Sequence, residues 1–202
     1  MTKNVLVTGG NRGIGLEIVK GMLSKGYKVL MGCRDEESGL EAKKDTVGGD
    51  LHIIEMPLDN ETAIVDALVR TEAVYGPIDI LINNAGHGRS EGPLHEANVD
   101  SVYDMVQTNL TSAMHLVRTL TPKMISKNRG HIVMIGSVSG LHPIQQSVYG
   151  ATKGAIHMLC QNLRIELLGK GIRVTEICPA RTNTDFFKTA FGQRAAEDLI
   201  NR

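Results

Sequence analysis

Six short apolar runs, separated by stretches of helical period, constrain this chain more than any other feature. The runs are residues 4–8 (NVLVT), 28–33 (KVLMGC), 52–57 (HIIEMP), 79–83 (DILIN), 131–135 (HIVMI) and 173–178 (RVTEIC). They are rich in Val and Ile and nearly continuous in hydrophobicity, the pattern of parallel strands buried on both faces. Between them apolar residues recur at helical spacing: Ile14, Ile18 and Met22; Ile64, Leu68, Thr71 and Tyr75; Val106, Leu110, Ala113 and Val117; Ile156, Leu159 and Leu163. Such alternation predicts βαβ units, right-handed crossovers and one parallel sheet with helices on both faces, an α/β doubly wound architecture. Residues 86–93 (GHGRSEGP) and 141–146 (LHPIQQ) read as loops. No repeat, low-complexity tract or linker interrupts the pattern, so residues 1–202 are expected to form a single domain.

Charge and cysteine content narrow the class. Lys+Arg and Asp+Glu are both 22, giving a formal net charge of zero. That balance supplies no bulk attraction to nucleic acid or an anionic membrane. Cys33, Cys160 and Cys178 are odd in number and widely spaced, which argues against a disulfide framework or zinc site and for a reducing compartment. None of the seven His residues has metal-ligand spacing, so no metal is expected. The apolar run after Met1 is too short for a signal peptide, and no apolar stretch is long enough to span a bilayer. A cytoplasmic protein with a small-molecule partner is expected.

Directly after the first run comes Thr8-Gly9-Gly10-Asn11-Arg12-Gly13-Ile14-Gly15, with a helical pattern opening at Gly13 or Ile14. Gly9 suits the tight turn and Gly13 a close backbone approach to pyrophosphate at a helix N-terminus; Gly15 suits close helix–strand packing. A glycine trio alone is weak evidence, but its strand–turn–helix setting points to a dinucleotide. The end of the second run bears on NAD against NADP, because an acid there repels a 2′-phosphate and an Arg receives it. Here Cys33 is followed by Arg34, with Arg12 as a second cation in the turn. Asp35 lies one position further on and reads as the opening of the next helix. NADP(H) is favoured, since Arg makes bidentate phosphate contacts.

Tyr149 and Lys153 stand four apart, on one face of a helix. An ammonium beside a phenol favours the phenolate and lowers its pKa from about 10. A phenol so tuned exchanges a proton with a carbonyl or alcohol oxygen near neutral pH. Chance Tyr-xxx-Lys pairs are common, and Ser137 adds the needed context. It ends the fifth run at the carboxyl edge of the sheet, where ligands bind in open α/β folds. Ser139 is the alternative, further from the strand end. Asn83-Asn84-Ala85-Gly86 closes the fourth run: Asn amides pin neighbouring strands, and Ala-Gly leaves room for a flat ligand. Asn109 lies inside a helical stretch, where Asn is unfavourable; it is either a buried structural amide or the holder of a water relaying protons to Lys153.

These motifs together resemble the short-chain dehydrogenase/reductase family, in its order and over nearly the whole chain. The resemblance implies a Rossmann-type sheet of order 3-2-1-4-5-6 and a catalytic tetrad of Asn109, Ser137, Tyr149 and Lys153. It implies cofactor contacts from Gly9, Asn11, Arg12, Gly13, Ile14, Gly15, Arg34, Asn83, Ala85, Gly86, Tyr149 and Lys153. Asp59, with Leu58 beside it, matches the adenine contact. Residues 179–184 (PARTNT) match the segment over the nicotinamide amide, adding Pro179, Thr182 and Thr184. The activity implied is hydride transfer between NADP(H) and a small carbonyl or secondary alcohol. A homodimer or homotetramer is also implied, built through the helices carrying Asn109 and Tyr149.

Two departures stand out. Ala180 occupies the place of a usual Gly, and the sequence stops at Arg202, inside the expected substrate lid of about 180–202 and before the seventh strand of many members. His87, Arg89, His142, Gln145 and Gln146 are expected near the substrate, and the style of HIVMIGSVSG and VYGATK is that of reductases of short 3-hydroxy or 3-oxo acids. Two other readings remain: a nucleotide-binding sensor without turnover, and a 3-oxoacyl-carrier-protein reductase. The second would need a basic patch, for which Arg118, Lys123, Lys127 and Arg129 are the candidates.

Overall fold

A computed structural model describes residues 2–88, 93–144 and 146–180, with 182, 184 and 186. Strands β1 (Asn4–Thr8), β2 (Lys28–Cys33), β3 (Asp50–Glu55), β4 (Ile80–Asn83), β5 (Gly130–Ile135) and β6 (Ile172–Ile177) form one sheet. Its order is β3-β2-β1-β4-β5-β6, and every pairing is parallel. This is the doubly wound fold expected. Continuous burial holds for the central β1 and β4, whose residues are all buried, while β3 and β6 are only partly buried because they lie at the edges.

The helices are α1 (Gly13–Ser24), α2 (Glu36–Lys43), α3 (Glu61–Tyr75), α4 (Val99–Val106), α5 (Ser112–Ser126) and α6 (Ser147–Glu166). Side chains from alternate strand positions build two cores. Leu6, Leu30, Leu81 and Ile132 pack with α3, α5 and α6; Val5, Val29, Ile80 and Val133 pack with α1 and α2. Because the strand order reverses between β1 and β4, the crossovers diverge there, leaving a crevice at the carboxyl edge.

Two helices differ from the sequence pattern. In α1 the buried stripe is Gly15, Val19 and Leu23, one residue on from Ile14, Ile18 and Met22. Contact between Gly15 and the glycine turn sets the helix phase: a Cβ on Gly15 would sit 2.2 Å from the Gly9 carbonyl oxygen. Ile18 and Met22 still pack at the margin of that core. Between α4 and α5 the helix widens into a π turn over Gln107–Thr111: of the expected stripe Ala113 and Val117 are buried and Leu110 packs against the core, while Met105 and Asn109 take the buried place before the turn in the stead of Val106. Single π turns inside α-helices are frequent at functional sites.

The four candidate basic residues do not make a free cationic patch beside the cleft. Arg118 pairs with Glu61, Lys123 with Glu72, and Arg129 with Asp79 at 3.1 Å. The end of α5 has returned to the amino edge of the sheet, opposite the crevice, and none of the four lines it. Among the described residues no helix is long and apolar enough to cross a membrane.

Candidate active site

The crevice is a cleft of about 1260 Å³, larger than the usual single-ligand pocket and ample for a dinucleotide with a small substrate. Its floor is the glycine turn. Gly9 and Gly13 have φ of +60° and +52°, left-handed values that an L side chain rarely adopts. The turn is pinned from β4: Asn84 Nδ2 donates to the carbonyls of Thr8 and Gly9, both at 3.0 Å, and Thr8 Oγ1 accepts from the N–H groups of Asn84 and Ala85. A Cβ on Gly9 would reach 3.0 Å from Ala85 Cα, so the two loops fit only without one. The start of α1 opens into the cleft and carries no acidic residue in its first turn. Free N–H groups and the helix dipole therefore face an anion unopposed.

Asn11, Arg12, Gly13, Ile14 and Gly15 line one end of the cleft, with Arg34, Leu58 and Asp59. Asp35 caps α2, accepting from Ser38 N at 2.8 Å, a bond that holds its carboxyl below the usual range. It is thus turned to the start of α2 as a helix cap, and exposed Arg12 and Arg34 are the cations of a rim that also carries the Asp35 and Asp59 carboxylates. Ser38 also faces this end, a contributor the sequence did not flag.

At the other end Ser137, Tyr149 and Lys153 converge. Ser137 follows β5 and caps the next turn, its Oγ accepting from Ser139 N at 3.1 Å. Both serines line the cleft, but only Ser137 hydrogen-bonds Tyr149. Burial raises the Tyr149 phenol above its usual value, against the downward pull of that bond. The sequence expectation was a lowered phenol. The difference has a geometric cause: Lys153 Nζ donates to the Ile135 carbonyl at 2.7 Å and lies 5.8 Å from the Tyr149 ring centre. Burial in turn pushes the Lys153 amine down to about 8.

Asn109 sits behind this cluster, in the π turn, rather than in the cleft wall. Its Oδ1 accepts from His87 N at 2.9 Å; Nδ2 donates to His87 O at 2.8 Å and to Thr152 Oγ1 at 3.2 Å. Asn83 is a second departure. Its amide points to Met134 Sδ at 3.2 Å and does not line the cleft; Asn84 is the amide that does. Alternation along β4 turns the two neighbours to opposite faces.

Ala85, Gly86, Pro179, Thr182 and Thr184 line the cleft as expected, as do His87 and Gln146. His142 does not, while Arg89, Gln145 and most of the expected lid lie outside the described residues. Gln146 is buried and donates from Nε2 to Gly88 O at 3.3 Å. Phe186 was not anticipated: its ring centre is 5.5 Å from that of Tyr149, and a Cβ on Gly88 would reach within 2.9 Å of it. A contact joining residues 37 apart leaves no local signal in the sequence.

A family model described as short chain dehydrogenase matches residues 3–195. An NADP-dependent 3-hydroxy acid dehydrogenase of Escherichia coli K12 is 37% identical over 189 residues, 93% of this chain and 76% of its own length. The closed form of a serine dehydrogenase complexed with NADP+ superposes with a TM-score of 0.91 at 36% identity, covering 98% of this chain and 82% of that one. A metagenomic short-chain oxidoreductase in complex with NADP gives a TM-score of 0.84 at 31% identity, covering 89% and 83%.

Proposed function

Because this chain belongs to the short-chain dehydrogenase family and is an NADP-dependent oxidoreductase, we propose that Tyr149 is its catalytic acid/base and that its substrate is a small 3-hydroxy or 3-oxo acid. The observation that carries the reading is the convergence of Ser137, Tyr149 and Lys153 at one end of a cleft whose other end is a glycine turn, a helix N-terminus and two arginines.

The residues present fit the cofactor: the glycine turn admits a pyrophosphate, and Arg12 and Arg34 suit a 2′-phosphate. Bound NADPH supplies the hydride. Ser137 holds the substrate oxygen and Tyr149 protonates it as negative charge develops there. The Lys153 ammonium stabilises the phenolate that Tyr149 becomes on giving up its proton, and would hold the nicotinamide ribose. Asn109 fixes the residue 86–88 turn beside Lys153 and, in the π turn, supports proton return from solvent. The named activity of the E. coli relative supports the substrate class, as do His87 and Gln146 in the lining.

Three free cysteines support a cytoplasmic setting. Exposed Tyr103 and Met114 on the α4–α5 unit, and Ile165 and Leu168 at the end of α6, support a homodimer or homotetramer; light scattering on the purified chain tests it. The carrier-protein reading loses its supporting patch to the ion pairs of α3 and α5.

NADPH consumption against aldehydes, 3-oxo acids and diketones tests the proposal, with Tyr149→Phe as control. Turnover of 3-oxo acids that the Phe variant loses is expected. An inert protein that still binds NADPH would favour the sensor reading, and turnover retained by Tyr149→Phe would remove Tyr149 from the chemistry.

A further inference from the structure

Behind Lys153 lies a buried charge that the chemistry above leaves unused. Glu176 pairs with Met134 across β5–β6 and, like Val174 two residues earlier, faces the α6 side of the sheet. Its side chain is 6% exposed. Its Oε2 accepts from His157 Nδ1 at 2.8 Å, and its buried Oε1 is met by no nitrogen or oxygen donor, only by the weakly donating Cys178 thiol. That oxygen lies where a Cβ on Gly136 would come within 2.5 Å. Gly136 lines the cleft and follows Ile135, whose carbonyl receives Lys153 Nζ. Lys153 and His157 are four apart on α6 and share the face under which the carboxylate sits. A buried carboxylate oxygen with only a weak thiol donor is costly, and packing alone would favour an apolar side chain here.

We propose that Glu176, held by His157, is a positioning residue for the Tyr149–Lys153 couple: its buried carboxylate keeps the Lys153 ammonium charged at the back wall of the cleft. The inference rests on Lys153 serving the reaction as proposed. The other titratable groups facing this pair are Cys178 at the end of β6, which acts on Lys153 ahead of Glu176 and hydrogen-bonds Glu176, and Cys160 on α6; burial is the chief cause that raises both thiols and keeps them neutral, which leaves Glu176 as the anion beside Lys153. Ser137, Thr152 and Asn109 add only neutral dipoles. Arg164, further along α6, is turned to Val174 O and Gln161.

Carbonyl reduction needs the couple protonated, so its rate falls as pH rises through loss of the first proton. Removing a nearby negative charge makes that proton leave at lower pH. The test measures kcat/KM for reduction against pH in the parent, Glu176→Gln and Glu176→Asp. It also follows Lys153 directly by 13Cε-lysine NMR, assigned with Lys153→Arg. In the parent Lys153 is expected to titrate at about 8. In Glu176→Gln both that titration and the alkaline limb should move down by about one unit or more, and Glu176→Asp should recover most of the shift. A lower kcat with an unmoved limb would mean a merely structural role and overturn the proposal, as would a Lys153 titration that shifts while the limb does not. If Glu176→Gln does not fold, the wild-type chain decides: the Glu176 carboxyl 13C resonance must show an inflection where Lys153 titrates, and a flat trace overturns the proposal. Loss of the catalytic reading is separable, since it would appear as absent Tyr149-dependent turnover in the parent while both NMR readouts still report on the pair.

Discussion

Asn109 grips the peptide of His87 at both ends, with Oδ1 on its N–H at 2.9 Å and Nδ2 on its C=O at 2.8 Å. One side-chain amide thus completes the backbone hydrogen bonding of a loop, much as a neighbouring strand would. These bonds are the structural one of the two roles that the sequence leaves open to Asn109. Asn109→Leu should cost roughly 1–3 kcal/mol, the penalty for leaving two buried peptide groups unpaired. Urea unfolding checks the stability, and an unchanged midpoint would mean that His87 finds other partners.

Ser137→Ala should lower kcat about 10²–10⁴-fold, as loss of a positioned polar group acting on the proton in flight does. NADPH affinity, read by fluorescence titration, should stay within a few-fold, because the serine lies at the substrate end. A large loss of cofactor binding would place Ser137 in the wrong half of the site.

Arg34→Asp should weaken NADPH binding by about 10- to 100-fold, the worth of a charge-assisted hydrogen bond, and narrow the gap to NADH. Calorimetry with both cofactors measures it. If preference is unchanged, Arg12 alone receives the 2′-phosphate.

Gly15 and Gly21 lie on the same helix and predict opposite outcomes. A Cβ on Gly15 would meet the Gly9 carbonyl oxygen at 2.2 Å and Asn84 Nδ2 at 2.5 Å, while nothing lies within 4 Å of one on Gly21. Gly15→Ala should destabilise by on the order of 3 kcal/mol or displace the turn. Gly21→Ala should stabilise by roughly 0.5–1 kcal/mol, since alanine is the better helix former. Thermal melts of the two variants, run side by side, would expose an error if they moved in the same direction.

Lys153 predicts a trade of stability for function. Its amine titrates at about 8 in the folded chain against an ordinary 10.5. Below about pH 8 it is charged in both folded and unfolded chains, and the burial penalty is fully felt. As pH rises from there toward 10.5 the folded chain releases its proton first, so stability grows. Lys153→Met should therefore be more stable at pH 7 by up to about 3 kcal/mol, with the gap closing toward pH 10, while losing turnover. Urea unfolding at the two pH values checks the sign, and a Met variant that is less stable at pH 7 would count against it.

How much was legible differs element by element. The β1 and β2 runs match the strands observed, because a strand buried on both faces shows its hydrophobicity without needing its neighbours. The glycine turn and the Ser137, Tyr149 and Lys153 cluster were legible because each rests on residue types at short spacing. The phase of α1 was misread by one residue, since three staggered apolar residues satisfied the helical period while the true phase came from a backbone contact to Gly9 and Asn84. The π turn carried only the faint signal of an Asn within an apolar stripe.

The sequence by itself determined the course of the strands and most helices, the glycine turn and the candidates for proton transfer, all written in local periodicity and in residue types at short spacing. Tertiary structure decided which of Asn83 and Asn84 reaches the cleft, that Asn109 is tied to His87, that Arg118, Lys123 and Arg129 are paired with acids of distant segments, and that Glu176 lies beneath Lys153. Each of these is a pairing between distant segments, which depends on the direction and depth of a side chain once the sheet has formed and on nothing that its own neighbours in sequence encode.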